Sequence, residues 1–203
     1  MKNNHQVNRD HSDINPQQSI SVQVMLYLRD LVVLFSVVMV LFLLLFRVVV
    51  VSGSSMNNTL VNGDYLLLVS STLYPEPKYG DIIVASKKSF ENGDPIVKRV
   101  IATEGQVVDI DFVTGTVYVD GVALKEDYTA TRTTVSEGVV FPITVDENCL
   151  FVLGDNRNGS KDSRSPEIGL IDKREVLGKA IFMVLPGPGV SGDKRDFSRI
   201  GVL

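Results

Sequence analysis

Val48-Val49-Val50-Val51-Ser52-Gly53-Ser54-Ser55-Met56-Asn57-Asn58-Thr59-Leu60 divides this 203-residue chain into two unlike parts. The valines end an apolar run, and a segment of small, hydroxyl-bearing residues begins at Ser52. Ser55, at the junction, reads from its position alone as a nucleophile, a turn residue or part of a cleavage site. Working outward, residues 1–24 are polar without an apolar period and are expected to form a disordered cytoplasmic tail. Residues 25–51 are expected to form a transmembrane helix. Leu31 to Phe46 carries no charge, and adding Arg47, whose stem can snorkel, and the four valines gives about 31 Å at roughly 1.5 Å per residue. That matches a hydrocarbon core of about 30 Å.

A cleaved leader is the competing reading of this run, since Val51-Ser52-Gly53 offers small residues at a possible cut. The long, barely basic tail and the length of the run favour a retained anchor. Arg29 flanks the near side, and Lys78 is the first cation after Ser52. The N-terminus is therefore expected to be cytoplasmic and residues 52–203 extracytoplasmic, with the lipid bilayer as a partner.

Composition narrows the chemistry. The chain has a net charge of −4 and a pI near 5.2. No basic block follows Ser52, so no nucleic-acid partner is expected. Cys149 is the one cysteine, which rules out an intrachain disulfide, and the histidines are His5 and His11, both ahead of the apolar run. If that run spans a bilayer, the domain beyond it has no imidazole. Ser-His-Asp and Cys-His catalysis and His-based zinc sites are then excluded, and no metal or cofactor is expected.

After Leu60 the pattern is β. Short Val- and Ile-rich runs at Tyr65–Val69, Ile82–Ala85, Ile96–Ala102, Val107–Phe112, Val117–Val119, Val139–Val145, Cys149–Leu153 and Lys179–Leu185 are separated by Gly, Asp and Asn. They predict an all-β domain, an antiparallel barrel or sandwich, behind one N-terminal transmembrane helix. Leu73 to Tyr79, with two prolines, is expected to be a loop, and the tail from Pro186 irregular.

Without histidine, a serine nucleophile needs another base, and lysine is the main candidate. A free lysine is neutral in only about 0.04% of molecules at pH 7, so a useful one should be buried among apolar groups. Ile96-Val97-Lys98-Arg99-Val100-Ile101-Ala102 fits that need, because period 2 puts Lys98 on one face with Ile96 and Val100. An edge strand with solvated charges fits the same pattern. The segment Gly154-Asp155-Asn156-Arg157-Asn158-Gly159-Ser160-Lys161-Asp162-Ser163-Arg164 resembles a calcium loop only loosely. With Gly159 at the sixth position, Gly154 stands where an Asp ligand is required. It reads either as a polar surface loop or as a brace in which Asp162 and Arg164 pair and Ser160 meets a lysine amine.

Ser55-Met56 within SGSSMNNTL, Gly80-Asp81-Ile82-Ile83-Val84, Val97-Lys98-Arg99-Val100 and GDNRNGSKDSR resemble, in order, the boxes of bacterial type I signal peptidases. The resemblance runs from the apolar segment to about Val184. It implies a membrane-anchored serine endopeptidase that cleaves signal peptides from exported preproteins. Ser55 would be the nucleophile, Lys98 the general base, Ser160 the group orienting the lysine, and Asp162 and Arg164 supports. The Ser55 backbone N–H would hold part of the oxyanion. Met56, Leu60 and Val97, next to the dyad, are expected to line shallow apolar substrate pockets. Two positions depart from the family pattern. Gly53 stands where some members carry a serine that helps hold the oxyanion, and Asn58 replaces the usual proline before Thr59. The rival readings are a self-cleaving Ser-Lys β-domain, as in SOS-response repressors, and an anchored, non-catalytic β-domain that binds export or envelope partners.

Overall fold

The structure, a computed structural model, describes residues 16–90, 93–188 and 194–203. Helix α1 spans Pro16–Leu45, its proline in the first turn where the missing N–H costs nothing. Within it, Ile20–Leu45 is 26 residues of mean hydropathy 2.6, long and apolar enough to cross a membrane. Of the expected tail, residues 1–15 and both histidines lie outside the described residues, while 16–24 are helical.

The helix stops six residues before the expected Val51. Phe46–Val50 forms strand β1, paired antiparallel with β2 (Tyr65–Ser70) from Phe46 opposite Val69 to Val50 opposite Tyr65. Consecutive β-branched residues suit a pleated strand better than a helix. Here β2 offers a free edge, and Val49 and Val51 pack on the core. An apolar valine run reads alike in a membrane helix and in a strand, which is why hydropathy alone carried the helix too far.

The remaining strands are β3 (Ile82–Ser86), β4 (Pro95–Thr103), β5 (Val107–Asp111), β6 (Thr116–Val119), β7 (Val122–Ala123), β8 (Ile143–Thr144), β9 (Cys149–Leu153), β10 (Ile171–Asp172), β11 (Val176–Leu185) and β12 (Gly201–Val202). They make two antiparallel sheets. The larger runs β1-β2-β11-β3-β4-β9-β10, with β12 beside β11; the smaller runs β7-β6-β5-β8. The all-β domain read from the sequence is thus present. The expected strand at Val139–Val145 shrinks to its last residues, and the tail after Pro186 regains order in a 3-10 turn at Phe197–Arg199 and in β12.

Three apolar clusters fill the domain. One joins β1, β2 and β11 to Val51, Met56 and Leu60; a second lies among β3, β4, β9 and β11; a third links β4 and β9 to the smaller sheet. A register shift in β4 between Val100 and Ala102 lets Ile101 leave the alternation and enter the third cluster. The C-terminal segment is held by Asp64, whose side chain is fully buried. Its carboxylate accepts from Val61 N at 2.7 Å, Gly187 N at 2.7 Å and both Arg199 terminal nitrogens at 3.0 and 2.7 Å. Replacing Asp64 by Ala leaves two backbone donors and a guanidinium unmatched. It should cost about 3 kcal/mol, read as a lowered urea midpoint with an unchanged slope.

Candidate active site

Ser55 lies in a run of turns between β1 and β2, half-buried, and Lys98 lies at the middle of β4. Alternation along β4 turns Ile96, Lys98 and Val100 inward, and Lys98 is only 5% exposed. Its Nζ sits 2.8 Å from Ser55 Oγ and donates to the Val97 carbonyl at 3.0 Å. Of the two readings of this strand, solvated edge or buried amine, the fold adopts the second.

The loop after β9 closes on the serine from the other side. Asn156 N donates to the Ser55 carbonyl at 3.0 Å, and its side-chain amide donates to the Ser54 carbonyl at 3.1 Å. A Cβ on Gly154 would stand 2.1 Å from Ser160 Oγ and 2.4 Å from the Ser55 carbonyl oxygen, so only glycine lets β9 pass between them. Ser160 is buried there, its hydroxyl donating to the Lys161 carbonyl at 3.4 Å. Asp162 and Arg164 form a fully buried bidentate pair, 2.8 Å at each contact. Asp162 also accepts from Gly154 N at 3.0 Å, and Arg164 donates to the carbonyls of Val135, Arg157 and Ser160. The segment is a folded brace rather than a solvated loop.

Several residues here were not singled out in the sequence. Arg99, which follows Lys98, grips the buried Asp155 through two bonds of 2.8 and 2.6 Å. Thr59 Oγ1, four residues after Ser55, donates to the same carboxylate at 2.5 Å. The Arg99 guanidinium also stacks on the Tyr128 ring, 4.1 Å from its centroid. Arg157, 5.8 Å from the centroid of the same ring, is held by Glu126 at 2.6 and 2.7 Å. Burial first, and then the Glu126 charge, pushes the Tyr128 phenol well above its ordinary range, so the ring stays neutral. Arg–carboxylate neighbours in the chain would have flagged such pairs; these partners are tens of residues apart.

A cleft of about 580 Å³ opens over the pair. It is lined by Val49, Gly53–Ser55, Val84 and Ile96–Lys98, together with Phe90, Gly159 and Lys161. Val97 is among the residues lining this cleft. Met56 and Leu60 do not line it: they are 1% and 0% exposed and pack with Val51, Leu66, Leu68 and Met183. The turn after Ser55 points both side chains into the core, where they hold the serine's backbone from behind. Gly53 has φ +91°, and its N–H is taken by Asn62 Oδ1 at 3.0 Å. Among the described residues, the Ser55 N–H makes no hydrogen bond, and no cluster of His, Cys, Asp and Glu could hold a metal ion.

Residues 24–185 match the family model described as "Signal peptidase, peptidase S26". The chain belongs to this signal peptidase family. It is 35% identical over 150 residues to a signal peptidase I of Bacillus licheniformis, covering 70% of this chain and 78% of that one. It is also 35% identical to a probable signal peptidase I-1 of Synechocystis sp., covering 67% and 69%. A solved signal peptidase I from Enterococcus faecalis is 34% identical, with a TM-score of 0.41 over 51% of this chain and 96% of that one. The family is that of membrane-associated serine peptidases that cleave signal peptides, so the family resemblance read from the sequence holds. In a signal peptidase the Gly154 crossing should be intolerant of any side chain. Gly154→Ala is expected to lower kcat/KM on a preprotein by about 100-fold, the scale on which a displacement near 1 Å acts.

Proposed function

We propose that this chain is a membrane-anchored Ser-Lys endopeptidase that removes signal peptides from exported preproteins, with Ser55 as nucleophile and Lys98 as general base. The observation that carries the proposal is the 2.8 Å approach of the Lys98 amine to Ser55 Oγ on the wall of an open cleft. A neutral amine at that distance accepts the serine proton as Oγ bonds to the scissile carbonyl carbon. The C–N bond then breaks, and the lysine ammonium returns its proton to the departing amine. Water attacks the acyl-enzyme, giving its proton to the same lysine, and Ser55 Oγ leaves with that proton restored.

The free Ser55 N–H supplies one donor to the oxyanion. Ser160, beside Gly154 and the Ser55 backbone, orients the lysine, while the Asp162–Arg164 pair fixes the loop that carries Ser160. Val97 lines the pocket for small residues ahead of the scissile bond, with Val84 and Ile96 beside it in the cleft wall; Met56 and Leu60 support that wall from the core. Helix α1 is the retained anchor, its N-terminal end cytoplasmic and residues 52–203 outside. The partners are the lipid bilayer and preproteins that carry signal peptides; nucleic acid has no place in this scheme.

Processing of a purified preprotein in detergent tests the dyad. Ser55→Ala and Lys98→Met should each lower kcat by about 10⁴-fold or more, with folding intact by circular dichroism. Wild-type rates in either variant would remove that residue from the chemistry. Inactive wild-type protein on several preproteins would instead favour a binding module.

A further inference from the structure

We infer that Asn58 is a positioning residue for the nucleophile, acting through a backbone conformation that proline cannot adopt and through a tether to the Tyr128 segment. The inference rests on the assignment of Ser55 as nucleophile. Thr59 N donates to the Met56 carbonyl at 3.1 Å, so Asn57 and Asn58 are the central residues of a β-turn that begins one residue after Ser55. Asn58 has φ +93°, while Asn57 is not among the residues of positive φ. A positive φ at the third position alone is the mark of a type II turn, where Gly and Asn are favoured and a β-branched or cyclic residue is not.

Proline is fixed near φ −65°, roughly 160° away from the observed value, and it would also press Asn57 toward an extended backbone. The backbone share of the cost would come from conformation, because the Asn58 N–H makes no hydrogen bond among the described residues. The Asn58 side chain meanwhile donates through Nδ2 to the Tyr128 carbonyl at 3.2 Å, seventy residues along the chain. Tyr128 is the residue whose ring lies under Arg99. The next residue, Thr59, is held at its hydroxyl by Asp155 and at its carbonyl by Arg199 at 3.2 Å. The turn that sets the direction of Ser55 is therefore fixed at consecutive residues to three distant segments, and Asn58 provides the only one of these links that runs to the 126–134 connection.

The test is preprotein cleavage by the full chain in detergent, with kcat and KM separated and melting temperature measured for Asn58→Pro, Asn58→Gly, Asn58→Asp and, as control, Ser55→Ala. Gly and Asp keep access to positive φ but cannot donate to the Tyr128 carbonyl. Each should lower kcat by about threefold to tenfold, the scale of one hydrogen bond, with KM and melting temperature unchanged. Asn58→Pro should lose about 100-fold or more in kcat/KM. Wild-type kcat in Asn58→Pro, or in both Gly and Asp variants, overturns the inference, as does a kcat loss matched by a loss of folded protein. If Ser55→Ala cleaves like wild type, the nucleophile assignment itself fails and this inference falls with it. An inactive Ser55→Ala beside fully active Asn58 variants removes only the role of Asn58.

Discussion

The buried carboxylate of Asp155 sets the relation between the two halves of the site. It receives two bonds from Arg99 on β4 and one from Thr59 in the turn after Ser55. Lys98 precedes Arg99, so whatever fixes Arg99 also fixes Lys98; whatever fixes Thr59 also fixes Ser55. One carboxylate thus registers a strand against a turn that lies about forty residues earlier. A buried ion pair is weak evidence for net stability, because the desolvation of both charges offsets their attraction. Its value here is geometric, since a bidentate fork accepts one orientation and leaves little freedom to either partner.

Around this knot the apolar packing does the heavier part of the folding. Val, Ile and Leu from β2, β3, β4, β9 and β11 close the clusters on both sides of the site. Met56 and Leu60 bring the turn after Ser55 into that packing, and Val51 does the same ahead of it, so Ser55 is carried by core residues on either side of it. The sheet also decides which cation turns inward. On β4, the period of two puts Lys98 with Ile96 and Val100, leaving Arg99 on the partly open face toward Asp155 and Tyr128.

Much of this was legible from the chain alone, for a physical reason: strand alternation and turn residues are local. The alternation at residues 96–100 put Lys98 on an apolar face without deciding between a buried amine and a solvated edge, and the two-residue spacing of Asp162 and Arg164 allowed a pair, which the fold buries. Other features were not local. Valines 48–51 satisfy a helix and a strand equally by hydropathy, and only the free edge of β2 decides between them. The two-residue strands β7, β8, β10 and β12 carry no periodicity of their own to detect. Arg99 with Asp155, Arg157 with Glu126 and Arg199 with Asp64 are separated by 56, 31 and 135 residues. Charge type alone cannot choose among so many possible partners. Met56 and Leu60 were placed beside the dyad correctly in sequence but on the wrong side of the backbone, because turn geometry sets that side.

The charged groups around the site divide their work by chemistry. Arg99, Arg157 and Arg164 each hold a carboxylate through two contacts, and each also binds a backbone carbonyl. A guanidinium keeps its proton at any pH a protein survives, so these three cations are permanent struts whose planar forks fix angles as well as distances. An amine is different: it is a compact donor whose proton can leave, and Lys98 is the amine that meets the serine hydroxyl. Among described residues that contain no imidazole, the amine facing the serine is thus distinguished from the guanidinium struts around it by side-chain type alone. Exchanging the two side chains would not keep these properties, since an arginine at position 98 does not shed its proton and a lysine at position 99 could not span Asp155 with two parallel bonds.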